Sequence, residues 1–287
     1  MRRRLGFWAL TILLAGCGRG TDTIVVASKN FSENHFLAEL IAQQIERKTG
    51  LTVERRMNLG GTFLCQQALV SGQADVYPEY TGTALTAILQ HAPEKDPART
   101  LEIVQQEYAE RFGAEWPVQF GFDSTFALLV RRDAPPSLRT LSELARLAPE
   151  MTIGMNFEFL EREDGWRGLA DEYVLEFAGP PKTLDLNLVY QALAAGELDV
   201  AVGNATHGLI ERLNLRRLED DRHYFPPYDA GAVARTEALE AHPGLREALE
   251  ALNGTISLEK MQEINRELDV EQRPAAELAR EFLEALP

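Results

Sequence analysis

Gln67-Ala68-Leu69-Val70-Ser71-Gly72-Gln73-Ala74-Asp75-Val76 returns downstream as Gln191-Ala192-Leu193-Ala194-Ala195-Gly196-Glu197-Leu198-Asp199-Val200, without a gap and with six of ten positions identical. Each copy reads as a helix end, a glycine that closes the helix in the left-handed region, and the start of a strand. Many helix–strand joints share part of this pattern. A gapless repeat of all of it points to one structural role used twice, and so to two α/β lobes of similar build.

The surroundings of the first copy support a β-α-β-α-β order. Ile24-Val25-Val26-Ala27 is a short apolar strand. Ser32 stands where a helix cap belongs, and Phe36, Leu37, Leu40, Ile41 and Ile45 recur at helical spacing up to Gly50. Leu51–Met57 alternates as a strand, Gly60-Gly61 turns into a helix over residues 62–71, and Ala74–Tyr77 is the next strand. This order predicts mainly parallel sheets with helices on both faces. Around the second copy, residues 138–148 read as a helix capped by Thr140 or Ser142, and Met151–Met155 as a strand. Residues 120–130 read as an extended passage between lobes. Residues 224–235, halted by Pro226-Pro227, read as the return, and residues 236–287 as helical. The expected division is lobe one over residues 22–124 plus 229–287 and lobe two over 125–228, joined by two segments that form a hinge.

In such sheets ligands bind beyond the carboxyl ends of strands, and interfaces between lobes are favoured cavities. Tyr77-Pro78-Glu79-Tyr80-Thr81-Gly82-Thr83 follows the first joint, and Val202-Gly203-Asn204-Ala205-Thr206-His207-Gly208 follows the second. Tyr80 and Asn204 stand at equivalent distances past Asp75 and Asp199, so both lobes present equivalent positions to one cleft. A tyrosine ring there attracts a cation through its quadrupole. Lys29, directly after the first strand, and Arg162, in a polar loop, are placed to meet a carboxylate, the arginine bidentately.

The chain has 287 residues, with 29 Lys and Arg against 44 Asp and Glu, a formal net charge of −15. That balance argues against non-specific binding to nucleic acid, which needs many cations against phosphate. At the N-terminus, Arg2-Arg3-Arg4 precedes a short apolar run that ends in Leu14-Ala15-Gly16-Cys17, the layout of a signal peptide. The tetrapeptide resembles a bacterial lipobox. That resemblance implies that residues 1–17 hold the leader and its lipidated Cys17, which anchors the mature chain outside the membrane, with residues 18–22 as tether. Loss of the three leader arginines takes the formal net charge from −15 to −18. Cys65, in an apolar helical pattern, is expected to pack as a small hydrophobe. Five scattered histidines and two cysteines offer no metal-ligand spacing, so neither metal nor cofactor is expected. No GxSxG, HExxH, Walker A or GxGxxG motif occurs, and no nucleophile lies beside a base, so an enzyme is not expected. A ligand sensor of the same fold would need a signalling partner or a fused output domain.

Taken together, the mature chain resembles the osmoprotectant-type substrate-binding proteins of ABC importers, which bind glycine betaine, choline, carnitine and related quaternary amines. The resemblance rests on Ser28-Lys29-Asn30-Phe31, Asn58-Leu59-Gly60-Gly61-Thr62, Asp75 through Thr83, Glu158-Phe159 with Arg162, Asp164, Gly165, Gly168 and Leu169, and Phe225-Pro226-Pro227-Tyr228. It implies a two-lobe periplasmic-binding-protein fold of type II, an extracytoplasmic monomer and a partner permease. It also implies a box of aromatic rings around an ammonium head. Tyr80 and Tyr228 match box tyrosines, Phe126 takes the place of a third and Asn204 of a fourth. Lys29, Thr83 and Arg162 match residues that hold the ligand carboxylate, with Asn30, Ser124 and His207 as further candidates. The departures point to a zwitterion with a more polar or bulkier head than glycine betaine. Phe126 keeps a ring without its hydroxyl, Asn204 replaces a ring with an amide, and His207 stands where the pattern has an aspartate.

Overall fold

The computed structural model describes residues 22–162 and 164–286. The leader and Cys17 lie outside the described residues. The first part of the chain runs β1 (Thr23–Ala27), α1 (Ser32–Thr49), β2 (Thr52–Arg56), α2 (Thr62–Val70), β3 (Val76–Tyr80), a single turn α3 (Thr81–Thr83) that continues as a π turn to Ile88, α4 (Pro97–Phe112) and β4 (Ala114–Asp123). The second part runs β5 (Phe126–Arg131), α5 (Leu141–Leu147), β6 (Ile153–Met155), α6 (Phe157–Glu161), α7 (Trp166–Tyr173), β7 (Lys182–Thr183), α8 (Leu186–Ala194), β8 (Val200–Asn204), α9 (Leu209–Arg212) and β9 (Leu215–Arg217). The chain then returns through β10 (Asp229–Arg235) and ends in α10 (Thr236–Ala241), α11 (Leu245–Glu250), α12 (Leu258–Asp269) and α13 (Ala275–Ala285).

Two five-stranded sheets result, in the orders β2-β1-β3-β10-β4 and β7-β6-β8-β5-β9. The orders are the same design. A first strand (β1 or β6) pairs in parallel with its two neighbours, and the strand that crosses between sheets (β10 or β5) then runs antiparallel beside β3 or β8. The sheets are therefore mixed rather than mainly parallel. A strand that arrives from the other lobe enters at the carboxyl edge and must run against the strands already there. The extended passage read over residues 120–130 is two strands, β4 in the first sheet and β5 in the second, with the crossing at Ser124-Thr125.

The repeated joint has the same structure twice. Gly72 and Gly196 both take positive φ, 71° and 78°. The Ala68 carbonyl accepts the Gln73 and Ala74 amides, and the Ala192 carbonyl accepts those of Glu197 and Leu198. Asp75 accepts the Val25 amide at 2.8 Å and pairs with Arg235 at 3.2 Å. Asp199 accepts the Thr152 amide at 2.9 Å and pairs with Arg131 at 3.5 Å. Each aspartate thus bolts its strand to the neighbouring first strand and to the arginine that ends the crossing strand.

Helix α1 buries Phe36, Leu37, Leu40, Ile41 and Ile45 against the first sheet and the carboxyl-terminal helices, whose Leu245, Leu249, Met261, Ile264 and Leu283 complete that core. Ser32 is not the cap of α1. Phe31 holds the extended N-cap position with no side-chain hydrogen bond, and Ser32 is already helical. Thr140 does cap α5, in a reciprocal box with Glu143. Strand β3 runs on to Tyr80 through Pro78. It pairs with β1 only at Val26–Val76, so Pro78 lies past that ladder, and its carbonyl accepts the Asn34 side chain at 3.1 Å. Cys65 is fully buried in the first lobe, and burial pushes its thiol up to about 12. No helix among the described residues is long and apolar enough to cross a membrane.

Candidate functional site

The carboxyl ends of β1, β3, β6 and β8 face a cavity of about 650 Å³ between the sheets. Lys29, Tyr80, Thr83, Phe126, Arg162, Asn204 and Tyr228 all line it, as do Asn30 and Ser124. A larger groove of about 840 Å³ shares only Phe126 with it.

Lys29 is placed by its loop. Its amide donates to Asn34 Oδ1 at 2.7 Å, which ties the β1–α1 turn to the head of α1. Its Nζ reaches Thr62 Oγ1 at 2.8 Å and Glu79 Oε1 at 2.5 Å, and lies 5.1 Å from the centre of the Tyr80 ring. Glu79 is fully buried. Burial pushes its carboxyl above the usual range, and the Lys29 charge opposes that push. On the second lobe, Arg162 grips Asp164 bidentately, Nε–Oδ1 at 2.7 Å and Nη2–Oδ2 at 2.5 Å, and reaches Thr83 Oγ1 at 3.3 Å. Its guanidinium stands 5.3 Å from the Phe126 ring centre and 5.9 Å from that of Tyr228. Burial pushes the Asp164 carboxyl up, but the Arg162 charge and the Tyr228 and Thr86 hydroxyls outweigh it and hold the group below the usual carboxylate range. The two cation–acid pairs thus differ. The arginine pair is firmly ionic, and the lysine pair faces an acid that burial inclines toward its neutral form.

The rings are held by their hydroxyls. Tyr80 donates to Glu33 at 2.7 Å and stacks on Phe31 at 6.2 Å; Tyr228 donates to Asp164 at 2.5 Å and meets Phe126 edge-on at 5.3 Å. Phe126 and Asn204 are direct partners across the β5–β8 ladder. With both tyrosine hydroxyls committed to carboxylates, the rings offer the cavity faces and edges rather than donors. Such walls suit a desolvated cation.

The same acids fasten one lobe to the other. Asp164 takes the Thr86 hydroxyl at 2.7 Å, and Glu33 takes the Thr206 hydroxyl at 2.6 Å and the Asn265 amide at 2.7 Å. The two crossings are tied together by the Ser124 amide on the Tyr228 carbonyl at 3.0 Å.

His207 does not line the cavity. It is held behind it, between Asn187 at 3.0 Å and Asp269 at 3.2 Å, with burial lowering its pKa against the pull of Asp269. The residue in the aspartate position therefore serves the contact between α12 and the second lobe. In the other direction, sequence reasoning passed over Glu158 as a site residue, although it belongs to a quoted motif, and over Phe31, Thr62, Phe63, Asn156 and Phe157, which also line the cavity. Phe63 and Phe157 are strongly exposed for their size, at 58% and 67%, and this marks the two rims of the opening. Their spacing carried no signal, because an exposed aromatic at a helix start looks like any other surface residue.

The family model described as the substrate-binding domain of ABC-type glycine betaine transport systems, OpuAC, matches residues 22–285. The chain belongs to this family. The carnitine transport binding protein OpuCC of Listeria monocytogenes is 36% identical over 271 residues, 93% of this chain and 88% of that protein. The ergothioneine transport permease/binding protein EgtU of Helicobacter pylori is 32% identical over 266 residues, 92% of this chain but 47% of that protein. A crystal structure of a glycine betaine/carnitine/choline ABC transporter superposes with a TM-score of 0.76 at 33% identity, covering 91% of this chain and 97% of that one. The two-lobe OpuAC architecture accounts for the two sheets of identical order. OpuAC-family chains are extracytoplasmic substrate-binding proteins that work with an ABC permease.

Proposed function

We propose that this OpuAC-family chain captures a small zwitterion, carrying a carboxylate and a quaternary or similarly bulky ammonium, and delivers it to its permease without chemical change. One observation supports this most. Seven residues chosen from scattered motifs converge on a single cavity that has cations at two points and aromatic walls between them. Lys29, Thr83 and Arg162 hold the carboxylate, and Tyr80, Phe126 and Tyr228 surround the ammonium. Asn204, with an amide in place of a ring, makes room for a head more polar or bulkier than that of glycine betaine. Glycine betaine itself binds, less tightly than in a complete box. The lobes, residues 22–124 with 229–287 and 125–228, close on the ligand about the two crossings. The chain acts as a monomer tethered by lipid on Cys17.

Isothermal titration of residues 18–287 with glycine betaine, carnitine, choline and ergothioneine tests the reading. Saturable binding of at least one carboxylated ammonium is expected, and silence from all four would overturn it. The tether is tested separately. Cys17→Ala should release the protein from membranes of the native host, and unchanged membrane association would remove the lipid from the account.

A further inference from the structure

We propose that Glu158 occupies the seat of the ligand carboxylate and thereby sets the preference between carboxylated ammonium compounds and those without a carboxylate. The inference rests on the binding reading above and adds a residue to which no role has been given.

Glu158 lies in the first turn of α6, whose start is fixed by Asn156 Oδ1 accepting the Phe159 amide at 2.9 Å. It lies one helical turn before Arg162, and its Oε1 is 3.8 Å from the Arg162 Nη1. Its other oxygen reaches across the opening. A Cβ built on Gly61 would stand 3.0 Å from Glu158 Oε2, so any side chain there would push this carboxylate aside by a few tenths of an ångström. Gly61 is the N-cap of α2 and brings no side chain to cap the helix, so Glu158 stands at the positive end of that helix. Directly behind is Thr62, whose hydroxyl is held by Lys29 Nζ. The carboxylate of Glu158 therefore sits between Arg162 and the first turn of α2, the turn whose Thr62 hydroxyl Lys29 holds.

It sits there loosely. No hydrogen bond among the described residues ends on its carboxylate, the Arg162 contact is long, and the side chain is 32% exposed. Lys29 and Arg162 do not need it, because Glu79 and Asp164 already pair with them at 2.5 Å. Glu158 is a third acid over two neutralised cations, and it has solvent to move into. A ligand carboxylate must displace it and meets its repulsion. A cation with no carboxylate leaves it seated and gains its charge. Glu158 therefore lowers affinity for betaine-like ligands and raises it for choline-like ones.

The experiment compares wild type, Glu158→Gln and Glu158→Ala, the second variant guarding against a new amide contact in the first. Titrations with glycine betaine and choline read selectivity. Thermal melts in acetate against chloride at constant ionic strength read the seat with a free carboxylate and no ammonium. Both variants should bind glycine betaine about three- to tenfold tighter and choline about threefold weaker than wild type, as expected for one partly screened charge at close range. Acetate should raise their melting temperatures more than that of wild type. Glycine betaine affinity that is unchanged or weaker in both variants, or equal acetate responses in all three proteins, would overturn the proposal. A larger acetate response in the variants with no ammonium compound bound by any protein would uphold the seat and sink the proposed ligand class. Tight glycine betaine binding by wild type with no change in the variants would do the reverse.

Discussion

The joints α2–β3 and α8–β8 are built alike and end differently. Both use a left-handed glycine, a twice-used alanine carbonyl and an aspartate bolted to the neighbouring strand and to an arginine. Five residues on, one strand delivers Tyr80 into the cavity and the other delivers Asn204. The difference teaches that the scaffold is specified by the joint and the ligand by its far end. The two can change independently, because the aspartate acts on the neighbouring backbone and an arginine while the strand-end side chain lines the cavity.

Breaking the cation–acid pairs separates the lobes most strongly. Arg162→Ala should cost about 3–5 kcal/mol of stability, because Asp164 is left buried without the charge that does most to keep its carboxyl ionised. Lys29→Ala should cost only about 1–2 kcal/mol, since Glu79 is already inclined by burial to take up a proton. Both variants should lose ligand binding. Urea denaturation gives the two stabilities, and the opposite ranking would mean that the lobes hold their charges in the same way.

The bolts come next. Asp75→Ala should destabilise by about 3 kcal/mol and Asp199→Ala by about 1 kcal/mol. Each accepts an amide at the neighbouring strand and faces an arginine, but the Asp75 side chain is 6% exposed and that of Asp199 34%. Equal losses would show that burial does not matter at this joint.

At the crossings the lobes differ again. Asp123 and Asp229 are register partners between β4 and β10, whereas the equivalent β5–β9 ladder of the second sheet pairs Leu129 with Arg217, Val130 with Arg216 and Arg131 with Leu215, and sets no two carboxylates opposite each other. Burial, and then the Asp229 charge, push the Asp123 carboxyl up to about 6. An unfolded aspartate titrates near 4, so between those values the folded chain holds a proton that the unfolded chain has lost. Stability from this group is therefore present at low pH and declines as pH rises toward 6. Asp123→Asn should raise the stability at pH 7.5 by on the order of 1–2 kcal/mol and change little at pH 4. A pH-independent effect would mean that the pair does not titrate as described.

The smallest change restores symmetry between the strand ends. Asn204→Tyr should tighten glycine betaine binding by about 1 kcal/mol, roughly fivefold, through the added ring face. Weaker binding in calorimetry would show that the amide itself recognises the natural ligand.

Much of this was legible in the sequence for a physical reason. The repeated joint acts through backbone geometry and a local aspartate, which leave fixed residues at fixed spacing. Lys29, Tyr80 and Arg162 were found because short motifs hold them at strand and helix ends. Other features depend on what lies across a gap. Phe31 rather than Ser32 took the N-cap because no side-chain bond was there to reward the serine. Pro78 sits inside a strand because β1 ends before reaching it. Helix α4 falls partly in a stretch that gave no strong apolar period, and its start follows from the Asp96 cap and Pro97. Glu158 acquires meaning only opposite Gly61, nearly a hundred residues earlier, and no local pattern records that meeting.

Tyr228 has one more consequence. Its ring is a wall of the binding cavity, its hydroxyl closes on an acid of the second lobe, and its carbonyl ties the two crossings together. In the proposed function a single residue would be sensor, latch and pivot at once. Contact with the proposed solute would be felt at the crossing itself, with no relay of intermediate parts. For a shuttle of the proposed kind, which must show a docking station whether it is laden or empty, this would make the weighing of the cargo and the turning of the body one mechanical event.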